Sequence, residues 1–217
     1  MFDFSASYLQ GRGERPENPL FNEFQTSSNF IIFVNRGVFC TIAILEYHHY
    51  KKRGRMKKRV LFVCLGNICR SPSAEAVFNS VLEEEGLQEV IECDSAGTTA
   101  YHTGEMADQR MQGHAIKRGY RLTSISRAIN PEHDFDEFDF IIGMDDNNVW
   151  DLRKMARTPS DLGKIYKMTE FSRKMDYRSV PDPYYGGSDG FELVLDILED
   201  ACHGLVRDLR EALTLYE

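Results

Sequence analysis

Arg59-Val-Leu-Phe-Val-Cys64, Leu65-Gly-Asn-Ile-Cys-Arg70 and Ser71-Pro-Ser-Ala-Glu-Ala-Val-Phe-Asn-Ser-Val-Leu-Glu-Glu-Glu85 follow one another directly, and their reading decides the fold. The first run is almost continuously apolar, as a central parallel strand buried on both faces must be. The third opens with Pro72 in a first-turn position, continues with Glu75 early, carries an apolar stripe through Ala76, Val77 and Val81, and meets a stop at Gly86. The unit is therefore strand, loop, helix. Outward from it, short apolar runs keep alternating with amphipathic stretches. Strands are expected at Val90 to Asp94, Asp139 to Met144 and Lys164 to Met168, and helices at Met106 to Arg118, Asp145 to Met155 and Phe191 to Leu215. Such a rhythm gives an α/β fold, a four-stranded parallel sheet with helices on both faces and right-handed crossovers, in the flavodoxin-like or Rossmann-like three-layer class.

Bulk composition bounds the function. The chain has 217 residues, enough for one well-buried α/β domain with length left over, and 42% apolar with 28% charged residues is ordinary for a globular protein. Its charge is uneven: residues 1 to 55 carry +2 and the remainder −10. An acidic body excludes a nucleic-acid binder, which needs a basic face. Any phosphate site must then be a local pocket of backbone amides and an arginine. Five cysteines, at 40, 64, 69, 93 and 202, form no regular framework, which points to a reducing cytoplasm. The apolar run Phe30 to Leu45 is shorter than the roughly 20 residues of a membrane span and contains Asn35 and Arg36, so membrane association is not expected. The six histidines show no ligand spacing, so no metal is expected, and no cofactor is called for.

Cys64 stands at the carboxyl end of the first strand, where open α/β sheets bind ligands. Five residues separate it from Arg70, a loop short enough to curl round one small anion with its N–H groups inward while the next helix aims its positive N-terminus at the same point. Gly66 removes a side chain where the backbone bends, and Asn67 tolerates a left-handed conformation. The donors that hold phosphate also stabilise a thiolate, so Cys64 is a candidate nucleophile, with the Ser71 hydroxyl placed to donate to its sulfur. Arg70 can grip two phosphate oxygens in a fork.

Val-Leu-Phe-Val-Cys64-Leu-Gly-Asn-Ile-Cys-Arg-Ser-Pro-Ser-Ala-Glu-Ala76 resembles the opening of the low-molecular-weight protein tyrosine phosphatases. The resemblance covers roughly residues 56 to 217. It implies hydrolysis of phosphotyrosine in proteins through a cysteinyl-phosphate, with Cys64 as nucleophile, Arg70 on the phosphate, and Leu65, Gly66, Asn67, Ile68, Cys69 and Ser71 lining the phosphate loop. Val180-Pro-Asp-Pro-Tyr-Tyr-Gly-Gly187 resembles the family's acid loop and makes Asp182 the general acid and base. Ser95, in Asp94-Ser-Ala-Gly97, is carried over as a brace of the loop through Asn67, and Tyr101 and Tyr184 as the aromatic walls of the cleft. A histidine common in the family near Ser124 is absent, which leaves the bracing there open. Cys69 is implied as a disulfide partner that protects Cys64 from over-oxidation, in an environment expected to favour its thiolate.

Three alternatives are carried. Thioredoxin-coupled arsenate reductase shares the fold but needs relay cysteines, and none lies between 94 and 201. Protein arginine phosphatase typically has threonine where this chain has Ile68. A catalytically silent phosphate-binding module would need neither a thiolate nor an acid. Expected partners are phosphotyrosine proteins and a tyrosine kinase, for a monomer or weak dimer. Residues 1 to 55 are expected to be disordered, or upstream sequence preceding a true start at Met56, the alternative being a basic, partly apolar anchor or targeting segment, with 56 to 217 as the phosphatase domain.

Overall fold

The computed structural model describes residues 23–26, 30–35, 38–40, 57–184 and 187–214. The chain divides into two units, Met1–Glu46 and Tyr47–Glu217. In the first, β1 (Glu23–Thr26), β2 (Phe30–Asn35) and β3 (Val38–Cys40) form an antiparallel sheet in that order. The expectation of a start at Met56 lies outside the described residues.

The second unit contains β4 (Lys58–Cys64), α1 (Arg70–Glu84), β5 (Ile91–Gly97), α2 (Gln109–Lys117), α3 (Pro131–Glu137) and β6 (Phe140–Gly143). It continues through α4 (Asp146–Met155), α5 (Pro159–Gly163), β7 (Ile165–Lys167), a 3-10 turn at Met168–Glu170 and α6 (Ser188–Thr214). The four strands are parallel in the order β5-β4-β6-β7. Alternation along β4 sorts the core into two layers. Phe62 meets Phe78 of α1 edge-on at 5.3 Å, on the face where α1 packs on α6. Leu61 and Val63 pack on the other face with Phe135 and Phe138 around α3 and with Leu152 of α4. Val60 to Val63 are fully buried, as the unbroken apolar run requires. Among the described residues no helix is long and apolar enough to cross a membrane.

Several elements depart from the sequence expectation, each for a local reason. β5 starts at Ile91 and runs three residues beyond Asp94, pairing with β4 as far as Cys64↔Gly97. Polar residues at 94 and 95 read as the end of a strand, yet Asp94 binds Arg127 at 2.8 Å and Ser95 binds Asn67 at 2.8 Å, so neither side chain needs water. α2 begins three residues later than expected because Asp108 caps it, accepting from the Arg110 amide at 2.9 Å, while Met106 bridges to Ile125 instead. α6 starts at Ser188, nearly a turn before Phe191. Two short helices, α3 and α5, are additional; each follows an N-cap, Asn130 or Thr158, with proline at the first helical position.

β5 and β6 flank β4 on opposite sides, so the connections leaving the strand ends diverge there and open a crevice. Cys64 ends β4 on one side of it, and Asp145, just after β6, stands on the other.

Candidate active site

The loop after β4 is held from outside by its carbonyls. Those of Cys64 and Leu65 accept from the Thr98 and Thr99 amides at 2.8 and 3.0 Å, that of Gly66 from the Ser126 hydroxyl at 3.0 Å, and that of Ile68 from the Asp108 amide at 2.8 Å. The Cys69 carbonyl accepts from the Ser73 hydroxyl at 2.7 Å. With its acceptors turned to the scaffold, the loop keeps its N–H groups for the concave side, where the N-terminus of α1 adds its positive end.

Asn67 makes this curvature possible. It adopts φ 54°, the one positive φ at a non-glycine among the described residues, and is buried. Its Nδ2 donates to Ser71 Oγ at 2.9 Å and Ser95 Oγ at 2.8 Å, and its Oδ1 accepts from the Arg127 amide at 2.9 Å. Ser95 Oγ donates onward to Glu75 Oε2 at 2.5 Å, and Ser124, in place of the family's histidine, also hydrogen-bonds Glu75. Burial holds the Glu75 carboxyl above its ordinary value despite those hydroxyls. Arg127, Ser126, Glu75 and Ser124 contact the loop or its braces where the sequence left the bracing open. Gly97 lies directly behind the loop, where a Cβ would come within 2.9 Å of the Leu65 carbonyl oxygen. Replacing Asn67 by alanine should strand three partners and strain the backbone, lowering unfolding stability by about 2 to 4 kcal/mol. Urea denaturation monitored by tryptophan fluorescence measures this; a change within about 0.5 kcal/mol would remove the bracing role.

Cys64 Sγ receives the Asn67 amide at 3.3 Å and lies 3.1 Å from Ser71 Oγ. Because Asn67 donates to that hydroxyl, the Ser71 proton is free to point at the sulfur or at the Ala96 carbonyl oxygen, 3.2 Å away. Arg70 is buried; its Nη1 donates to Asp145 Oδ2 at 2.5 Å and to the Val180 carbonyl at 3.3 Å, and its Nη2 donates to Asp182 Oδ2 at 3.3 Å. Burial works against the guanidinium charge, but Cys64, Asp145 and Asp182 outweigh it and raise the arginine above its usual value. Asp145, expected from the sequence only as the start of a helix, fixes Arg70 and also caps α4 through the Asn148 amide at 2.8 Å.

A cleft of about 300 Å³ gathers Cys64, Leu65, Gly66, Ile68, Cys69, Arg70, Tyr101, Asp182 and Tyr184. Asn67, Ser71 and Ser95 stand behind it rather than in its wall. One lining residue was not anticipated: His102, whose Nδ1 contacts Glu105 at 2.8 Å and whose ring lies 2.9 Å from where a Cβ on Gly66 would be. Its position next to Tyr101 was the available signal. A roomier cleft of about 510 Å³, lined by Tyr120, Arg173 and His203 among others, contains none of the expected site residues. Size alone therefore does not locate the chemistry.

Cys69 corrects the sequence reading. Burial, followed by the charges of Asp108, Cys64 and Asp182, pushes its thiol up to about 12, so it is protonated near neutral pH rather than held as a thiolate. Alkylation of Cys69 by iodoacetamide, followed by peptide mass mapping, should therefore be slow at pH 7 and accelerate as pH rises toward 12. Rapid pH-independent labelling would contradict it.

The sequence model of the family described as low molecular weight phosphotyrosine protein phosphatase matches residues 59–215. A low molecular weight protein-tyrosine-phosphatase of Streptomyces coelicolor is 41% identical over 158 residues, covering 72% of this chain and 96% of that protein. A solved protein tyrosine phosphatase of Entamoeba histolytica superposes with TM-score 0.70 at 47% identity, over 72% of this chain and 99% of that one. The solved Drosophila arginine phosphatase superposes with TM-score 0.63 at 34% identity, over 68% of this chain and 95% of that one. With Cys64, buried Arg70 and Asp182 lining one cleft of a fold that these relatives share, the chain belongs to the low molecular weight phosphotyrosine protein phosphatase family.

Proposed function

We propose that this protein hydrolyses phosphotyrosine in proteins, with Cys64 attacking phosphorus, Arg70 and the loop amides holding the phosphate oxygens, and Asp182 serving as acid and then base. The observation that carries the reading is convergence: sulfur, guanidinium and carboxylate open onto one cleft flanked by two tyrosine rings.

Arg70 has five N–H donors, and its contacts with Asp145, Val180 and Asp182 use Nη1 and one side of Nη2. The Nε and remaining Nη2 protons form an edge suited to two oxygens of a phosphoryl group. As that group flattens in the transition state, the fork fits it better, so the binding favours reaction rather than substrate. The sulfur displaces the phenolic oxygen in line. Asp182 gives that oxygen its proton as the P–O bond breaks, leaving phosphate on Cys64 and a carboxylate at Asp182. Water then attacks the phosphocysteine, passes a proton to Asp182 and releases phosphate, restoring the starting enzyme.

Tyr101, exposed at 86%, and Tyr184 offer flat faces to an aromatic ester, and Ile68 adds an apolar side chain to the lining of the cleft. This favours a phosphotyrosyl over a phosphoarginyl substrate, whose guanidinium would want polar partners. The free thiol that the chemistry needs suits a reducing compartment, and we place the protein in the cytoplasm, acting on products of a tyrosine kinase. Matched phosphotyrosyl and phosphoarginyl peptides test the assignment by phosphate release. A higher kcat/KM on phosphotyrosine is expected; a preference for phosphoarginine would reassign the substrate.

A further inference from the structure

The acid loop has few ways to be held in place. Pro181 and Pro183 flank Asp182 and lack N–H groups, and the Tyr184 amide is consumed locally by Asp182 Oδ1 at 3.0 Å. Its beginning is fixed: the Val180 amide donates to the Met144 carbonyl at 2.9 Å, and Arg70 donates to the Val180 carbonyl. At its other end the Tyr184 carbonyl accepts from Arg110 Nη1 at 3.2 Å.

Arg110 comes from the first turn of α2 and is itself pre-set. Asp108 takes its Nε and Nη2 in a fork at 3.1 and 2.8 Å, and its guanidinium carbon lies 5.2 Å from the ring centres of both Tyr184 and Phe191. Phe191 belongs to the start of α6, so the cation joins the acid loop to two helices. Asp108 also donates its amide to the Ile68 carbonyl of the phosphate loop at 2.8 Å. An unbroken chain of contacts therefore runs from the phosphate loop through Asp108 and Arg110 to Tyr184 and Asp182.

We propose that Arg110 is a positioning residue that latches the acid loop in register with the phosphate loop, so that the Asp182 carboxyl meets the leaving oxygen. It touches neither sulfur nor phosphate and acts through Tyr184. The inference rests on the reading of Asp182 as the acid. Its signature is selective, because a misplaced acid harms esters of strongly basic leaving groups and spares those whose phenolate departs unaided.

The test is kcat/KM for a series of aryl phosphates of graded leaving-group basicity, with Arg110→Met, Arg110→Lys, Asp182→Ala and the Arg110→Met/Asp182→Ala double variant. Arg110→Met should lose about ten- to a hundredfold on phosphotyrosine, and less than about threefold on 4-nitrophenyl phosphate, steepening the leaving-group dependence. Arg110→Lys should recover part of the loss, since its ammonium still faces the rings but cannot fork to Asp108. On the Asp182→Ala background, Arg110→Met should add no further steepening. A uniform loss across the series, or an added loss on that background, would overturn the latch. Steepening in Asp182→Ala but not in either Arg110 variant removes the latch alone, whereas no steepening in Asp182→Ala removes the acid assignment and the latch with it.

Discussion

Replacing Cys64 by serine should lower kcat/KM for phosphotyrosine by about 10⁴-fold or more, while inorganic phosphate still binds. The two outcomes separate because they depend on different atoms. Attack requires an anion that is nucleophilic at neutral pH, and the nearest companions of a serine hydroxyl in the same place would be the Ser71 hydroxyl and the Asn67 amide, neither of which is a general base. Binding requires the curved loop and the Arg70 fork. Both are held by contacts that do not involve the sulfur, from the Thr98, Thr99 and Ser126 donors to the Asp145 carboxylate. Calorimetric titration with phosphate should give a dissociation constant no weaker than that of the unmodified protein. Turnover at an undiminished rate in the serine variant would reject the nucleophile assignment.

The second large effect concerns Asp182. Asp182→Ala should cut kcat/KM on phosphotyrosine by about 10²- to 10³-fold, and on 4-nitrophenyl phosphate far less, because only the former leaves as a strongly basic phenolate. The carboxylate is well placed for that role: it is tied to Arg70 by one long contact of 3.3 Å, and its other oxygen is oriented by the Tyr184 amide. A contact of that length leaves the carboxyl able to turn toward the leaving oxygen. The same variant should be slow in the second half of the reaction, since no base remains to take a proton from water. Stopped-flow traces with 4-nitrophenyl phosphate should then show a burst of nitrophenolate followed by a slow phase. Equal losses on both esters would show that Asp182 handles no proton.

What the sequence made legible was local. The apolar run into Cys64, the proline at the start of α1 and Gly86 beyond its end are encoded within a few residues of where they act. So was the left-handed Asn67, whose conformation follows from the tightness of a five-residue loop. α3 and α5 were equally local, since Asn130-Pro131 and Thr158-Pro159 are helix starts; their short length left too little apolar periodicity to reveal them. What stayed hidden was pairing across the fold. Asp145 holds Arg70 from 75 residues away, and Arg127 closes on Asn67 from 60. Ser95 ends a strand by its polarity but continues one by its partners. The Cys69 thiol shows the same limit: its neighbours in sequence suggest a thiolate, and its burial, with Asp108 the largest of the nearby charges, decides otherwise.

The covalent intermediate gives the most direct test of the mechanism. Asp182→Ala mixed with 4-nitrophenyl phosphate and acid-quenched during the slow phase should carry one phosphoryl group, and peptide mass mapping should place it on Cys64. A quenched enzyme with Cys64 unmodified while nitrophenolate has been released, or with the phosphoryl group on another residue, would contradict the account.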